Sequence, residues 1–175
     1  MSGTAWAYAG YLLWLLAGCA DFRCHRRSDL PHTSGLAESG LHVLQMGLMG
    51  TLVLAWLAAR PTLPLLALSA LLVLVHALAG YLDTRTAWGR RPVTPLEQHL
   101  HSVLDAAPWV ALGVAAYGQG AAALARGWTW EWRSPLPPAP AWIAVLLPAL
   151  LLCVLPLLAE FAAAWRARTR GAGGR

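Results

Sequence analysis

Three acid–histidine pairs recur along the chain at one spacing: Asp21 with His25, Glu38 with His42, and Glu97 with His101. Residues four apart project from one face of a helix. His76 and Asp83 are seven apart and share a face on the same reasoning, and Asp105 extends the Glu97–His101 stripe by another turn. The stretch "TPLEQHLHSVLD" adds His99, which points about 200° away from both Glu97 and His101. Carboxylates and neutral imidazoles are the ligands divalent transition metals select. Supplied by facing helices, they are also how helix bundles build dinuclear centres. The candidate ligands are Asp21, His25, Glu38, His42, His76, Asp83, Glu97, His99, His101 and Asp105. That set exceeds the needs of one tetrahedral ion. The expectation is two transition-metal ions, iron first, with manganese or zinc as alternatives.

The elements that must position these residues are apolar. Of 175 residues 58% are hydrophobic and 12% charged, which places the chain among integral membrane proteins. Apolar segments long enough to cross a bilayer fall near 4–21, 40–59, 63–82, 98–124 and 140–163. This predicts an all-α transmembrane bundle of five spans, one domain over residues 1–175. Pro61 and Pro64 flank the start of the third span, and Trp128, Trp130 and Trp132 read as an interfacial aromatic belt. Five spans put Arg23, Arg26, Arg27, Arg85, Arg90, Arg91, Arg166, Arg168, Arg170 and Arg175 on one side, against Arg60, Arg126 and Arg133 on the other. Positive charge collects in the cytoplasm. The N-terminus is therefore predicted outside and the C-terminus inside, in a bacterial inner membrane, with lipids as the surrounding partner.

In that topology every candidate ligand lies at the cytoplasmic ends of the helices. Rise per residue puts His76 roughly 10 Å deeper than Asp83, and Asp105 comparably deeper than Glu97. An ionisable group at mid-membrane costs on the order of 2.5–3.5 kcal/mol. A bound cation offsets that cost for several groups at once.

Each residue also has a plainer reading. Thr94, Pro95 and Glu97 match N-cap, N1 and N3 of a capping box. Asp21 and His25 sit beside Arg23, Arg26 and Arg27 and suit an interfacial salt network. His76 suits a hydrogen bond between helices. His99 suits lipid headgroups, His32 a solvated loop, and Glu160 the membrane interface. The net charge of +5 comes without a basic stripe carrying stacking aromatics, so no nucleic-acid partner is expected. Cys19, Cys24 and Cys153 are an odd number with no CxxC, which argues against a disulfide framework. Cys19 closes "LAGC", a lipoprotein-like tetrapeptide, but no basic segment precedes it.

The array from Asp21 to Asp105 resembles the membrane-embedded di-iron hydroxylases and desaturases, whose histidines gather at the cytoplasmic ends of transmembrane helices. It differs in having no HxxHH box and in placing acids at many positions. "ESGLH" and "EQHLH" resemble the carboxylate–histidine helices of ferritin-like di-iron proteins, with a spacing of four instead of three. "CHRRSDLPHTSGLAESGLH" and "VTPLEQHLHSVLD" look like segments of small bacterial membrane proteins, a likeness that implies no particular activity. The di-iron resemblance implies an oxidoreductase that activates oxygen on an apolar substrate from the bilayer. Its cytoplasmic arginines would dock an acidic electron-donor protein. Two other functions fit parts of the pattern. A haem-binding electron carrier would use His42, His76 and His101. A metal or proton transporter would use the same polar groups but needs a polar trail to the far side.

Overall fold

The computed structural model describes residues 3–172, so Arg175 lies outside the described residues. Five helical rods account for most of the chain. They are α1 (Gly3–Arg27), α2 (Gly35–Ala58), α3 (Leu63–Ala87), α4 (Pro95–Arg126), and α5 (Ala139–Ala149), which runs through a π turn at Leu150–Val154 into α6 (Leu155–Ala172). Among the described residues the only β pairing is an isolated bridge between Ala59 and Trp132.

Local chemistry sets the helix ends. Thr94 is the N-cap of α4, its hydroxyl accepting from the Glu97 N–H at 3.2 Å, with Pro95 in the first turn. Leu63 and Pro64 open α3 behind Thr62. Asp29 and Gly35 adopt positive φ (53° and 59°) on either side of a 3-10 turn, Leu30–His32, that reverses the chain between α1 and α2. In the last rod Pro148 and Pro156 bracket the π turn. Each removes a ladder donor, and Pro and π turns are where helices bend. Ala144 O, four residues before Pro148, receives the Tyr8 hydroxyl at 2.9 Å instead, and Tyr11 donates to Val145 O at 2.8 Å.

The rods close into a ring in which α1 meets α4, α4 meets α3, α3 meets α2, α2 meets α6, and α6 returns to α1. The outer surface is apolar: Leu13 and Leu16 of α1, Leu74 and Leu78 of α3, and Val110 and Val114 of α4 are all exposed. The interior at one end holds charge. Three helices, Gly35–Ala58, Leu63–Ala87 and Ala139–Gly171, are long and apolar enough to cross a membrane. The rods of α1 and α4 have the length, but their polar turns lower their mean hydropathy.

The helices outrun the apolar segments at that polar end. The first span was expected to stop near residue 21, yet α1 continues to Arg27 and carries His25 inside it. The fourth was expected from 98, yet α4 begins at Pro95. The reason is burial: Asp21, His25, Glu97 and His101 face inward, so the helix continues where hydropathy fails.

Candidate metal centre

Because the rods alternate in direction, the C-terminal turns of α1 and α3 and the N-terminal turns of α2 and α4 meet at one end of the ring. There Asp21, His25, Glu38, His42, Asp83, Glu97, His101, Arg91 and Glu160 are all buried. The three four-residue pairs each present both members to this centre.

Glu160 of α6 organises it. Its two carboxylate oxygens accept from His25 Nδ1 at 2.8 Å and His42 Nδ1 at 2.7 Å. The two rings stack in parallel, centroids 4.6 Å apart and planes 5° apart. An ionised carboxylate only accepts, so each Nδ1 carries its proton; a ring that is neutral in this tautomer offers its lone pair at Nε2. These Nε2 atoms face carboxylates. His25 Nε2 lies 3.2 Å from Asp21 Oδ2 and 3.6 Å from Glu97 Oε1. His42 Nε2 lies 3.1 Å from Asp83 Oδ1, and His101 Nε2 3.3 Å from Asp21 Oδ1. None of these approaches has hydrogen-bond geometry: His25 Nε2, His42 Nε2, His101 Nε2, Asp21 Oδ1, Asp83 Oδ1 and Glu97 Oε2 are buried without a partner, while Glu97 Oε1 pairs with Arg91.

Buried polar atoms are almost always satisfied, so six converging unsatisfied ones need a reason. A cation at about 2.0–2.2 Å from its N and O ligands holds neighbouring donors about 3.0–3.6 Å apart. The donor pairs here stand at 3.1, 3.2, 3.3 and 3.6 Å. Asp21, His25, Glu97 and His101 form one group able to hold a metal ion, and His25, Glu38 and His42 meet the same distance criterion. Glu38, however, is already engaged. Arg91 Nε donates to its two oxygens at 3.0 and 3.1 Å, and a second guanidinium nitrogen pairs with it as well. Asp83 Oδ1 is free and faces His42 directly, so His42 and Asp83 make the better second half.

Arg91 braces this end. It joins Glu38, Glu97 and Ser28 Oγ, tying α1, α2 and α4 to the loop after α3. Burial works against its charge, but Glu38 and Glu97 more than offset that and hold the guanidinium above the usual arginine range. The "TPLE" capping geometry is half realised. Thr94 caps the Glu97 N–H, while the Glu97 carboxylate turns inward to Arg91 and His25.

Besides Glu38, three expected ligands stand outside both halves. His99 is exposed on the outer side of α4, as its 200° offset requires. His76 is buried deeper on α3, in the wall of a cavity, and Asp105 lines the same cavity from α4. His32 lies in the exposed turn with Asp29.

Two residues of the centre escaped the sequence reading. Arg91 was counted only as one of many loop arginines. Glu160 was placed at the interface, although a single acid inside "LLAEFAAAW" needs a partner in a bilayer, and that was the available signal. No family model, curated protein or solved structure matches the chain, so its chemistry is read from this geometry alone.

Proposed function

We propose that the chain is a five-span membrane protein holding a dinuclear metal centre at its cytoplasmic end and acting as an oxidoreductase on an apolar substrate. The observation that carries this reading is the His25–His42 stack on Glu160. One carboxylate fixes two parallel imidazoles, and each Nε2 faces carboxylates of its own, Asp21 and Glu97 for His25 and Asp83 for His42. Two ions roughly 3.5–4 Å apart are the arrangement such a pair serves. Charge supports the count. With the imidazoles neutral, as ligation requires, five buried carboxylates against one buried guanidinium leave four negative charges, which two divalent cations would neutralise.

Asp21, His25, Glu97 and His101 would hold one ion, and His42 and Asp83 the other. Iron bound there would supply oxygen activation. The protein's part is to fix the Nδ1–H tautomer of His25 and His42 through Glu160, to keep Glu97 ionised through Arg91, and to hold the substrate in a largely apolar chamber. A cavity of about 660 Å³ adjoins the centre, walled largely by apolar side chains of α1, α2 and α5. The haem reading is disfavoured because His42 Nε2 and His101 Nε2 each face a carboxylate, Asp83 at 3.1 Å and Asp21 at 3.3 Å, where a macrocycle would have to lie. The transporter reading is disfavoured because, past His76, the cavity wall is apolar.

The N-outside, C-inside topology rests on the arginine asymmetry, to which the eight exposed arginines at the cluster end contribute. Elemental analysis of protein purified without nickel affinity, together with an optical spectrum, tests the centre. About two transition-metal ions per chain and no Soret band are expected. Metal-free protein would overturn the centre, and an active C-terminal alkaline phosphatase fusion would overturn the topology.

A further inference from the structure

His76 has no task in the metal centre, yet it is 95% buried and, among the described residues, has no hydrogen-bond or ion partner. It lies in the wall of the 660 Å³ cavity. Leu15, Met49, Val53, Ile143 and Leu147 make much of the rest of that wall. Unlike those of the centre, its ring nitrogens are not sealed off and stay accessible from the cavity, and the usual intramembrane use of histidine, a bond to the next helix, is not made here.

A second polar group reaches the same wall by a specific device. Gly80 lies one turn beyond His76 on α3, and a Cβ built there would meet Asp105 Oδ1 at 2.7 Å. Glycine is thus what allows the Asp105 carboxylate to lie against α3 between His76 and Asp83. Gln45 and Thr84 join the lining as well. The cavity therefore has a polar band beside the centre and a long apolar remainder.

We infer that the cavity takes a long-chain apolar molecule bearing one neutral oxygen function, of the hydroxyl type, and that His76 is the residue that recognises that oxygen. This rests on the reading of the cavity as the chamber of the metal centre. An anionic head is disfavoured because Asp105, a carboxylate outside the proposed ligand set, lines the chamber beside His76, and the largely apolar wall favours an uncharged molecule. Burial of the apolar chain supplies affinity. The bond to His76 supplies selection, since a site built to hydrogen-bond a hydroxyl discriminates against the analogue lacking it. The bond also sets which carbon lies beside the centre, making His76 a positioning residue.

Bromine quenches tryptophan on contact, and Trp14 and Trp142 line the cavity. The test is a titration of the metal-loaded protein in nanodiscs with a bromine-bearing long-chain alcohol and with the bromoalkane of equal length. The Trp14→Phe/Trp142→Phe double variant reports quenching from outside the cavity. The alcohol should bind about tenfold more tightly than the alkane. His76→Phe, of similar shape, should erase that gap while leaving alkane binding and metal content unchanged, and His76→Gln should keep much of it. Equal affinity of the native protein for both probes would overturn the proposal. So would loss of metal from His76→Phe, which would make His76 a ligand. An alcohol preference in protein that elemental analysis finds metal-free would leave His76's role standing and remove the metal centre.

Discussion

Both ends of the bundle carry an arginine beside a carboxylate, and the two pairs behave differently. Arg126 and Glu131 approach to 3.7 Å with about a third of each side chain exposed. They lie among the exposed Trp128, Trp130 and Trp132, where water can screen them. At the other end Arg91, Glu38 and Glu97 are wholly buried and hold several helices together. The same residue types are a surface ornament in one place and a structural requirement in the other, because desolvation decides what an unpaired charge costs. The buried end also shows that pairing alone is insufficient. After Arg91 and Glu160 have been used, six ligand atoms remain unsatisfied.

The contrast can be broken most forcefully at Arg91. Arg91→Ala leaves two buried carboxylates uncompensated and should destabilise the protein by about 3–5 kcal/mol. Arg126→Ala should cost no more than about 1 kcal/mol. Unfolding in mild detergent compares the two, and equal losses would show that the cluster end is wetter than its burial implies.

The next effect concerns ligand occupancy. Glu160→Gln keeps the shape but offers one acceptor oxygen where the carboxylate offers two, so one of the His25 and His42 Nδ1–H groups loses its partner. Metal affinity should fall about 10–100-fold, read by competition with a chelator. Unchanged affinity would mean that the stack is held by packing alone.

Glu97 separates ligation from helix capping. Glu97→Gln retains the backbone N–H that Thr94 caps but removes an anionic donor. It should fold and lose at least one of the two metals, measured by elemental analysis. Full metal retention would reduce Glu97 to a partner of Arg91. The smallest effect is the converse change: Thr94→Ala removes the cap, costs about 1 kcal/mol, and should leave metal content intact. A metal loss there would mean that the cap positions Glu97 for ligation.

Much of this centre was legible in the chain. The four-residue spacing of Asp21–His25, Glu38–His42 and Glu97–His101 already places each pair on one helical face, and helices alternating in direction bring those faces to one end. The same geometry set His99 apart. Depth was legible too, since His76 does lie in a chamber wall below the shallower pairs. Where the reading stopped was at partners: Glu38 was expected as a ligand, yet its oxygens are taken by Arg91, a residue 53 positions away. Spacing along one helix carries no information about such a neighbour.

The sequence by itself determined that the chain is helical and apolar outside, that its acids and histidines share faces, and that they collect at one end. These follow from periodicity, hydropathy and charge, which are local or additive along the chain. Only the tertiary structure decided which atoms meet. It brought Glu160 from the last rod between two histidines far away in the chain, turned both Nε2 atoms toward carboxylates, seated Asp105 against Gly80, and left His76 facing a cavity. Whether a buried polar group is satisfied depends on what the neighbouring helices place within about 3 Å of it, and that is settled by how the ring of helices closes.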